Sequence, residues 1–363
     1  MKQWIIVGVL LLLGIAAVWV VVGTLLSGPG VGLPLEIPEG RYDGFLLTHH
    51  NVIVRTTGFP NAIDARGEFP APPKPDYEET RKLMDFDFHM GVYHKDKTFA
   101  RFAAREAFRR IGEIETRLSL DRKDSELSKI NKEAFDKPVK LSDELYFILK
   151  RARQVSLLSD GAFDVTGSPL RWMWQHYAAY DQAPPSNKMR EVRALVDWHG
   201  VRIDDETRTV RLAKKGVIVG LHDIIRGFCL DQAAYELRRQ GMRKGFIRTG
   251  DTQYLLGSPD GEPFIIGIPA SAQERKLKYT FDADRPAVAM KGFYTGYKFL
   301  GNTIVSDIVD PRSGSCVGSV GVCVVVGPDG MTCDAMATAI CVLGGSRAVR
   351  FIAKFNPREE HPE

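Results

Sequence analysis

Apolar residues recur at helical spacing in four parts of the chain. In residues 98–118 an apolar side chain returns every three or four positions, while arginine and glutamate fill the other faces, which predicts an amphipathic helix. A second helix is predicted from the N-cap Ser142 to Gly161, since Asp143 and Glu144 in its first turn favour the helix dipole. Similar patterns predict helices over residues 227–240 and 334–343.

Short apolar runs between turn residues predict the strands. These runs are residues 86–94, 201–203, 209–212, 217–221, 246–249, 264–268 and 320–326. Three of them follow one another closely and predict an antiparallel meander, and the helices stand apart from the strands along the chain. This order predicts an α+β fold of antiparallel sheets with segregated helices, rather than a doubly wound parallel sheet.

The N-terminal segment has a different pattern. Residues 4–26 contain no charge, and as a helix rising 1.5 Å per residue they would span a bilayer core of about 30 Å. Because this run exceeds the apolar region of a signal peptide, we expect one uncleaved transmembrane anchor, with a cleaved signal peptide as the alternative. Lys2 is the only charge before Glu36, which favours a cytoplasmic N-terminus and an exported remainder.

Proline and glycine are frequent after this segment. We therefore divide the chain into an anchor (1–32), a linker and arm (33–85) and a folded domain (86–363). With 44% hydrophobic residues among 363, most of the chain must be globular. A net charge of +4 is too small and too dispersed for a nucleic-acid binder. The five cysteines lack the spacing of a zinc cluster.

Six short motifs occur in an order that identifies a family. They read LSLDRKDSELSKIN, DGAFDVTGSPL, RGFCLDQAA, TGDTQYLLG, DIVDPRSG and DAMATAICVLGG. In this order the chain resembles the bacterial FAD:protein FMN transferases, the ApbE-like flavin transferases, over nearly the whole domain. The resemblance implies a T-fold-like domain and a Mg²⁺-dependent reaction that splits FAD and joins FMN to a Thr or Ser hydroxyl of an exported redox flavoprotein. Together with the predicted anchor, the resemblance leads us to expect a single-pass protein of the bacterial inner membrane with its domain on the periplasmic side.

The metal site implied by the resemblance lies on the last helix. Asp334 and Thr338 are four residues apart, so both project from one helical face, and such oxygen ligands suit Mg²⁺. The family's third ligand, a backbone carbonyl, corresponds to that of Asp223. The alternative is a helix-capping Asp334 and a Thr338 bonded to its own backbone.

Flavin contacts are implied at several further positions. Met90, the Ala162–Phe163–Asp164 segment and the Gly250–Asp251 pair match the family's cofactor contacts, whereas Asp121 stands where the family has an aromatic residue for adenine. For Met90 and Phe163 the alternative is ordinary core packing.

Several positions depart from the family pattern where the chemistry should occur. Where the family has two glycines and a lysine, this chain has His222, Asp223 and Arg226, and Lys291 stands in the family's Thr-Ser-Gly segment. Asp307 replaces a histidine that is a candidate proton acceptor, so Asp307 and Arg226 are the catalytic candidates. The alternatives are a flavin- or partner-binding module without transfer activity, and an FAD pyrophosphatase.

Overall fold

The computed structural model describes residues 19–22, 73–261, 264–269, 277–283, 286–292, 297–301, 303–318 and 322–353. In chain order the strands are β1 (Trp19–Val22), β2 (Tyr77–Leu83), β3 (Phe86–Val92), β4 (Val139–Lys140), β5 (Val201–Asp204), β6 (Thr209–Leu212), β7 (Gly245–Thr249), β8 (Thr252–Gly257), β9 (Phe264–Pro269), β10 (Leu277–Ala283), β11 (Ala287–Gly292), β12 (Tyr297–Leu300), β13 (Thr303–Ser306) and β14 (Val322–Gly327). The helices are α1 (Lys97–Leu118), α2 (Glu126–Glu133), α3 (Asp143–Leu158), α4 (Ser168–Ala178), α5 (Ser186–Arg193), α6 (His222–Arg239), α7 (Gly330–Leu343) and α8 (Gly345–Ala353).

A seven-stranded sheet forms one layer, in the order β1-β14-β11-β8-β7-β3-β2. All neighbouring strands in it are antiparallel except β1 and β14. Helix α7 packs on β11 and β14, α6 packs on β7 and β8, and α1 packs on β2 and β3. Since α6 also contacts both α1 and α7, the three helices share one face of the sheet. The mixed helix and sheet fold expected from the sequence is confirmed.

The central helices are buried on nearly all sides. Every residue of α7 is buried, and α6 is buried from Ile224 to Ala234. Helix α3 contacts both of them from the other side. Helices buried on nearly all sides must lie inside a domain. Because of this position, α6 and α7 bring their polar side chains together away from water.

One predicted strand is wrong. Within the described part of the chain, residues 217–221 pair with no strand, because their backbone is bonded to other groups. The side chain of Asn131 donates to the carbonyl of Val219 at 2.9 Å and accepts from its N–H at 2.8 Å. The N–H of Gly220 donates to Val165 at 2.7 Å. The amide side chain of Asn131 thus takes the place of a neighbouring strand for the segment just before α6.

The helix starts also differ from the prediction. Helix α6 begins at His222 instead of residue 227, and α7 begins at Gly330 instead of residue 334. Helices α1 and α3 agree closely with the prediction, including the Ser142 N-cap, whose hydroxyl accepts from the N–H of Leu145. Strand β2, at the end of the predicted arm, pairs with β3 along its whole length.

The predicted anchor, residues 4–26, lies outside the described residues apart from β1. Those four residues form a strand, not a helix, and pair in parallel with residues 323–326 of β14. Among the described residues, no helix is long and apolar enough to cross a bilayer.

Candidate active site

A cleft opens where α4, α6 and α7 meet the loop that follows β13. Its wall includes six of the residues that the sequence indicated for the site: Ala162, Phe163, Asp164, Asp223, Asp307 and Thr338. These residues come from three of the motifs and from the segment that contains Asp223, which are far apart in the chain. The fold therefore brings half of the predicted site residues together at one cleft.

His222 and Asp223 stand on the cleft wall at the start of α6. The backbone at Asp223 leaves helical geometry, with φ −92° and ψ 16°, so the helix is kinked here. The His222 ring lies 5.3 Å from the Phe86 ring, between centroids. Burial lowers the pKa of His222 to about 4, so the imidazole is neutral at pH 7. The two residues fill space that glycines would leave open.

Arg171 is a cleft residue that the sequence analysis missed. It lies on α4 with its side chain only 10% exposed, and its Nη1 is 3.8 Å from Oδ2 of Asp223. The sequence contains a signal for this residue. Leu170, Trp174 and Ala178 form the buried stripe of α4, and Arg171 lies beside that stripe. An arginine beside an apolar stripe needs an anionic partner, from the protein or from a ligand.

Asp307 and Asp164 have different environments within the cleft. Asp307 is exposed, and its Oδ1 accepts from Gln175 Nε2 at 3.1 Å. Asp164 is held by three donors, the N–H and hydroxyl of Thr166 at 2.7 and 2.6 Å and the N–H of Trp198 at 3.1 Å. Burial raises the pKa of Asp164. Asp164 therefore fixes the turn before α4, and Asp307 is the carboxylate open to a reacting group.

Beneath the cleft lies a buried ion cluster, which consists of Arg226, Asp251, Lys291 and Asp334. Asp334 Oδ1 is 3.1 Å from Arg226 Nη2 and 3.1 Å from Lys291 Nζ. Thr252 donates to the same oxygen at 3.3 Å. Arg226 also reaches Asp251, with 3.4 Å between Nη1 and Oδ1. All four side chains are at most 8% exposed.

Burial dominates the electrostatics of this cluster. It raises the pKa of Asp251 to about 6, against the opposing effect of Arg226. It also raises the pKa of Asp334, again in spite of Arg226. Among the described residues, Oδ2 of each carboxylate has no hydrogen-bond partner. Desolvation of the charged form thus outweighs a neighbouring cation at both positions.

Close backbone contact between α6 and α7 positions the cluster. A Cβ on Gly227 would lie 2.0 Å from the carbonyl oxygen of Gly330, so only glycine fits at this crossing. Arg226 precedes Gly227, and Asp334 lies one turn beyond Gly330. Gly250, with φ +53°, forms the turn between β7 and β8 that brings Asp251 beside the same arginine.

The N-terminus of α7 is capped by two aspartates. Asp329 is the N-cap and accepts from the N–H of Thr332 at 2.7 Å. Asp231 on α6 accepts from the N–H groups of Gly330 and Met331 at 2.6 and 2.9 Å. The capping role considered for Asp334 is therefore wrong. The sequence analysis missed Asp231, although an aspartate inside the apolar RGFCLDQAA segment was a signal.

Six predicted residues do not line the cleft. Gly250, Asp251 and Asp334 lie in or next to the ion cluster, and the other three are Asp121, Met90 and Arg226. Asp121 is exposed and does not line the cleft. Met90 is fully buried in the main hydrophobic core, as its core-packing alternative predicted. Arg226 lies in the ion cluster between two carboxylates rather than on the cleft wall.

The arrangement of the expected metal ligands does not fit Mg²⁺. Oδ1 of Asp334 already accepts from two cationic groups and a hydroxyl, and the Thr338 hydroxyl donates to the Asp334 carbonyl at 3.2 Å. A divalent ion beside Lys291 would be repelled: two unit charges 4 Å apart interact by about 4 kcal/mol near a protein surface, and a divalent ion doubles this. Within the described residues, no group of three or more acidic, histidine or cysteine side chains is placed to hold a metal ion.

Comparison with known proteins agrees with the motif order. A model described as the ApbE family matches residues 84–360. The FAD:protein FMN transferase of Vibrio cholerae is 29% identical over 249 residues, which are 67% of this chain and 74% of that protein. The protein of the same name from Haemophilus influenzae is 26% identical over 255 residues, or 68% and 74% of the two chains.

Solved structures show the same fold. Flavin transferase ApbE from Vibrio cholerae superimposes with a TM-score of 0.66 at 25% identity, and the ApbE protein from Thermotoga maritima with 0.69 at 24%. Each comparison covers 77% of this chain and 91% of the other. With a family match over most of its length and three of the family's motifs at one cleft, this chain belongs to the ApbE family.

Proposed function

We propose that this protein transfers FMN from FAD to a Thr or Ser hydroxyl of an acceptor protein. The observation that carries the proposal is the convergence of Phe163, Asp164, Asp307 and Thr338, from three separate motifs, on one cleft. The names of the relatives from Vibrio cholerae and Haemophilus influenzae support it.

The proposed reaction is a phosphoryl-type transfer. The acceptor hydroxyl oxygen attacks the phosphorus on the FMN side of the FAD pyrophosphate, the P–O bond to the AMP phosphate breaks, and AMP leaves. The hydroxyl proton goes to Asp307, the exposed carboxylate of the cleft. Arg171 supplies the positive charge on the cleft wall for the pyrophosphate oxygens.

The Mg²⁺ dependence implied by the resemblance is not part of this mechanism. Its ligands would be Asp334, Thr338 and the carbonyl of Asp223, and Asp334 is fully buried against two cations. We therefore derive no step through a metal, and the positioning of the phosphates is assigned to Arg171.

The location of the protein is a further part of the proposal. Residues 4–26 are uncharged and, as one continuous helix in place of β1, would be long enough to cross a bilayer; this supports a single-pass inner-membrane protein whose acceptor is an exported redox protein. The full chain should then fractionate with membranes and resist carbonate extraction. Recovery as a soluble periplasmic protein would contradict the anchor and leave the transfer reaction untouched.

A transfer assay tests the reaction. The purified chain is incubated with FAD and a protein that the Vibrio cholerae transferase flavinylates, and covalent flavin is detected by fluorescence after denaturing electrophoresis. Asp307→Asn should lower the transfer rate by about 10²–10⁴-fold, the usual contribution of a positioned base. The control is Asp87→Asn, an exposed position on β3 away from the cleft.

The same assay separates the alternatives. Free FMN and AMP without covalent flavin would identify a pyrophosphatase with water as the nucleophile. Unchanged FAD would identify a flavin- or partner-binding module. One observation favours the binding module: the side chains of His222 and Asp223 occupy the cleft wall.

A further inference from the structure

Lys291 is the least expected member of the buried ion cluster. Its side chain is 6% exposed, and its ammonium lies 3.1 Å from Oδ1 of a carboxylate, Asp334, that is not exposed at all. A buried ammonium is strongly destabilising unless it is paired, so this contact defines the role of the side chain.

The sheet fixes the position of this lysine. Strand β11 places Lys291 opposite Cys323 of β14, within a continuous antiparallel register. The preceding residue, Met290, donates its N–H to the carbonyl of Asp251 at 2.8 Å, which ties the strand to another member of the cluster. The sheet therefore fixes the backbone of Lys291, and burial of the side chain keeps its ammonium beside Asp334.

The charges of the cluster balance without an external ion. Asp251 and Asp334 supply two negative charges, and Arg226 and Lys291 supply two positive charges. A metal ion is attracted to a site with excess negative charge and several open oxygen ligands. Here Oδ1 of Asp334 already accepts from Arg226, Lys291 and Thr252, and among the described residues only Oδ2 of this carboxylate is open.

We propose that the Lys291 ammonium replaces a divalent cation as the counter-charge of Asp334, so that this protein works without a metal ion at that position. Removal of the lysine charge should then open the position to a metal. The inference concerns the same site as the proposed function, but it depends on ion pairing alone and holds whether or not FMN is transferred.

Metal binding tests the inference directly. The purified full-length chain is titrated with Mn²⁺, and free Mn²⁺ is measured by electron paramagnetic resonance. The wild type should show no binding that depends on Asp334, whereas Lys291→Ser should bind one equivalent of Mn²⁺. This binding should weaken by at least about tenfold, or 1.4 kcal/mol, in Lys291→Ser/Asp334→Asn. Lys291→Arg keeps the charge and should behave like the wild type.

Two results would overturn the inference. One is binding of one Mn²⁺ by the wild type that Asp334→Asn abolishes, because the lysine would then coexist with the metal. The other is absence of binding in both the wild type and folded Lys291→Ser, because the lysine would then not be what excludes the ion.

A measurement on the wild type covers the case in which Lys291→Ser does not fold. A ligand that binds only the folded state raises the melting temperature. Because the wild type should bind no Mg²⁺ at Asp334, the melting temperature of the full-length chain should be the same in Mg²⁺ and in EDTA. A rise in Mg²⁺ that is absent in Asp334→Asn would refute the inference. Neither measurement depends on flavin transfer, so failure of the proposed function is recognised separately.

Discussion

The cleft and the buried ion cluster lie next to each other, yet they use the same residue types differently. In the cleft, Asp307 is exposed and bonded only to Gln175 among the described residues. In the cluster, Asp334 is fully buried and contacts Arg226 and Lys291 at 3.1 Å. A charge in water is free to bind a substrate or a proton, whereas a charge removed from water must be balanced where it stands. The comparison shows that burial decides whether an aspartate is available for a reaction or stabilises the fold.

Helices α6 and α7 connect the two regions. One turn of α6 separates Asp223 on the cleft wall from Arg226 in the cluster, and one turn of α7 separates Thr338 from Asp334. The cluster therefore sets the spacing of the two helices that contribute Asp223 and Thr338 to the cleft wall. Substitutions should affect stability in the cluster and reaction or binding in the cleft.

The largest expected difference is between two aspartate substitutions. Asp334→Asn leaves two buried cations without their shared partner and should lower the free energy of unfolding by about 3–5 kcal/mol. Asp307→Asn changes an exposed side chain and should stay within about 0.5 kcal/mol of the wild type. Urea unfolding followed by circular dichroism measures both. Equal effects of the two substitutions would remove the distinction between cluster and cleft.

The next effect is an opposite pH dependence of the two regions. The folded-state pKa of Asp251 is raised to about 6 from 3.8, so the folded state binds more protons between these values. The contribution of Asp251 to stability is then present below pH 3.8 and is lost as pH rises through 6, by about 3 kcal/mol at 1.36 kcal/mol per pH unit.

His222 should show the reverse dependence. Its folded-state pKa is lowered to about 4 from 6.5, so the unfolded state binds more protons in this window. Its contribution is present above pH 6.5 and is lost as pH falls through 4, by about 3 kcal/mol. Unfolding of Asp251→Asn and His222→Gln between pH 4 and 7 should deviate from the wild type with opposite slopes. Slopes of the same sign would show that burial does not dominate the pKa of one of the two groups.

A smaller effect is expected at the helix crossing. Gly227→Ala would place a Cβ 2.0 Å from the carbonyl oxygen of Gly330, and the helices must separate, at a cost of about 1–3 kcal/mol. Gly112→Ala on α1 is the matched control, because no atom lies within 4 Å of its Cβ. It should stabilise by about 0.5–1 kcal/mol through helix propensity. Equal melting temperatures for the two variants would exclude a tight crossing.

The smallest effect is expected at Asp121. This residue is exposed and outside the cleft, although the resemblance placed it at the adenine contact. Asp121→Asn should change FAD affinity by less than about twofold in a fluorescence titration. Arg171→Gln, on the cleft wall, should weaken affinity more. A stronger effect at Asp121 would mean that the dinucleotide extends beyond the cleft.

Much of the fold followed from local patterns. Helices α1 and α3 and strands β6 and β7 lie close to where periodicity and capping residues predicted them. The prediction was wrong for residues 217–221, where β-branched residues suggested a strand. The amide of Asn131 bonds this backbone from 88 residues away, and no local pattern contains such a partner.

For the site, the sequence alone determined the family and the set of motifs, because short motifs in a fixed order are a property of the chain itself. Only the tertiary structure decided which aspartates face the cleft and which are buried, that Asp329 and Asp231 cap α7, and that Lys291 contacts Asp334. Lys291 lies 43 residues before Asp334, on a strand whose register sets its position. Burial and ion pairing depend on everything packed around a side chain, so residues distant in sequence fix them together, and no single segment specifies them.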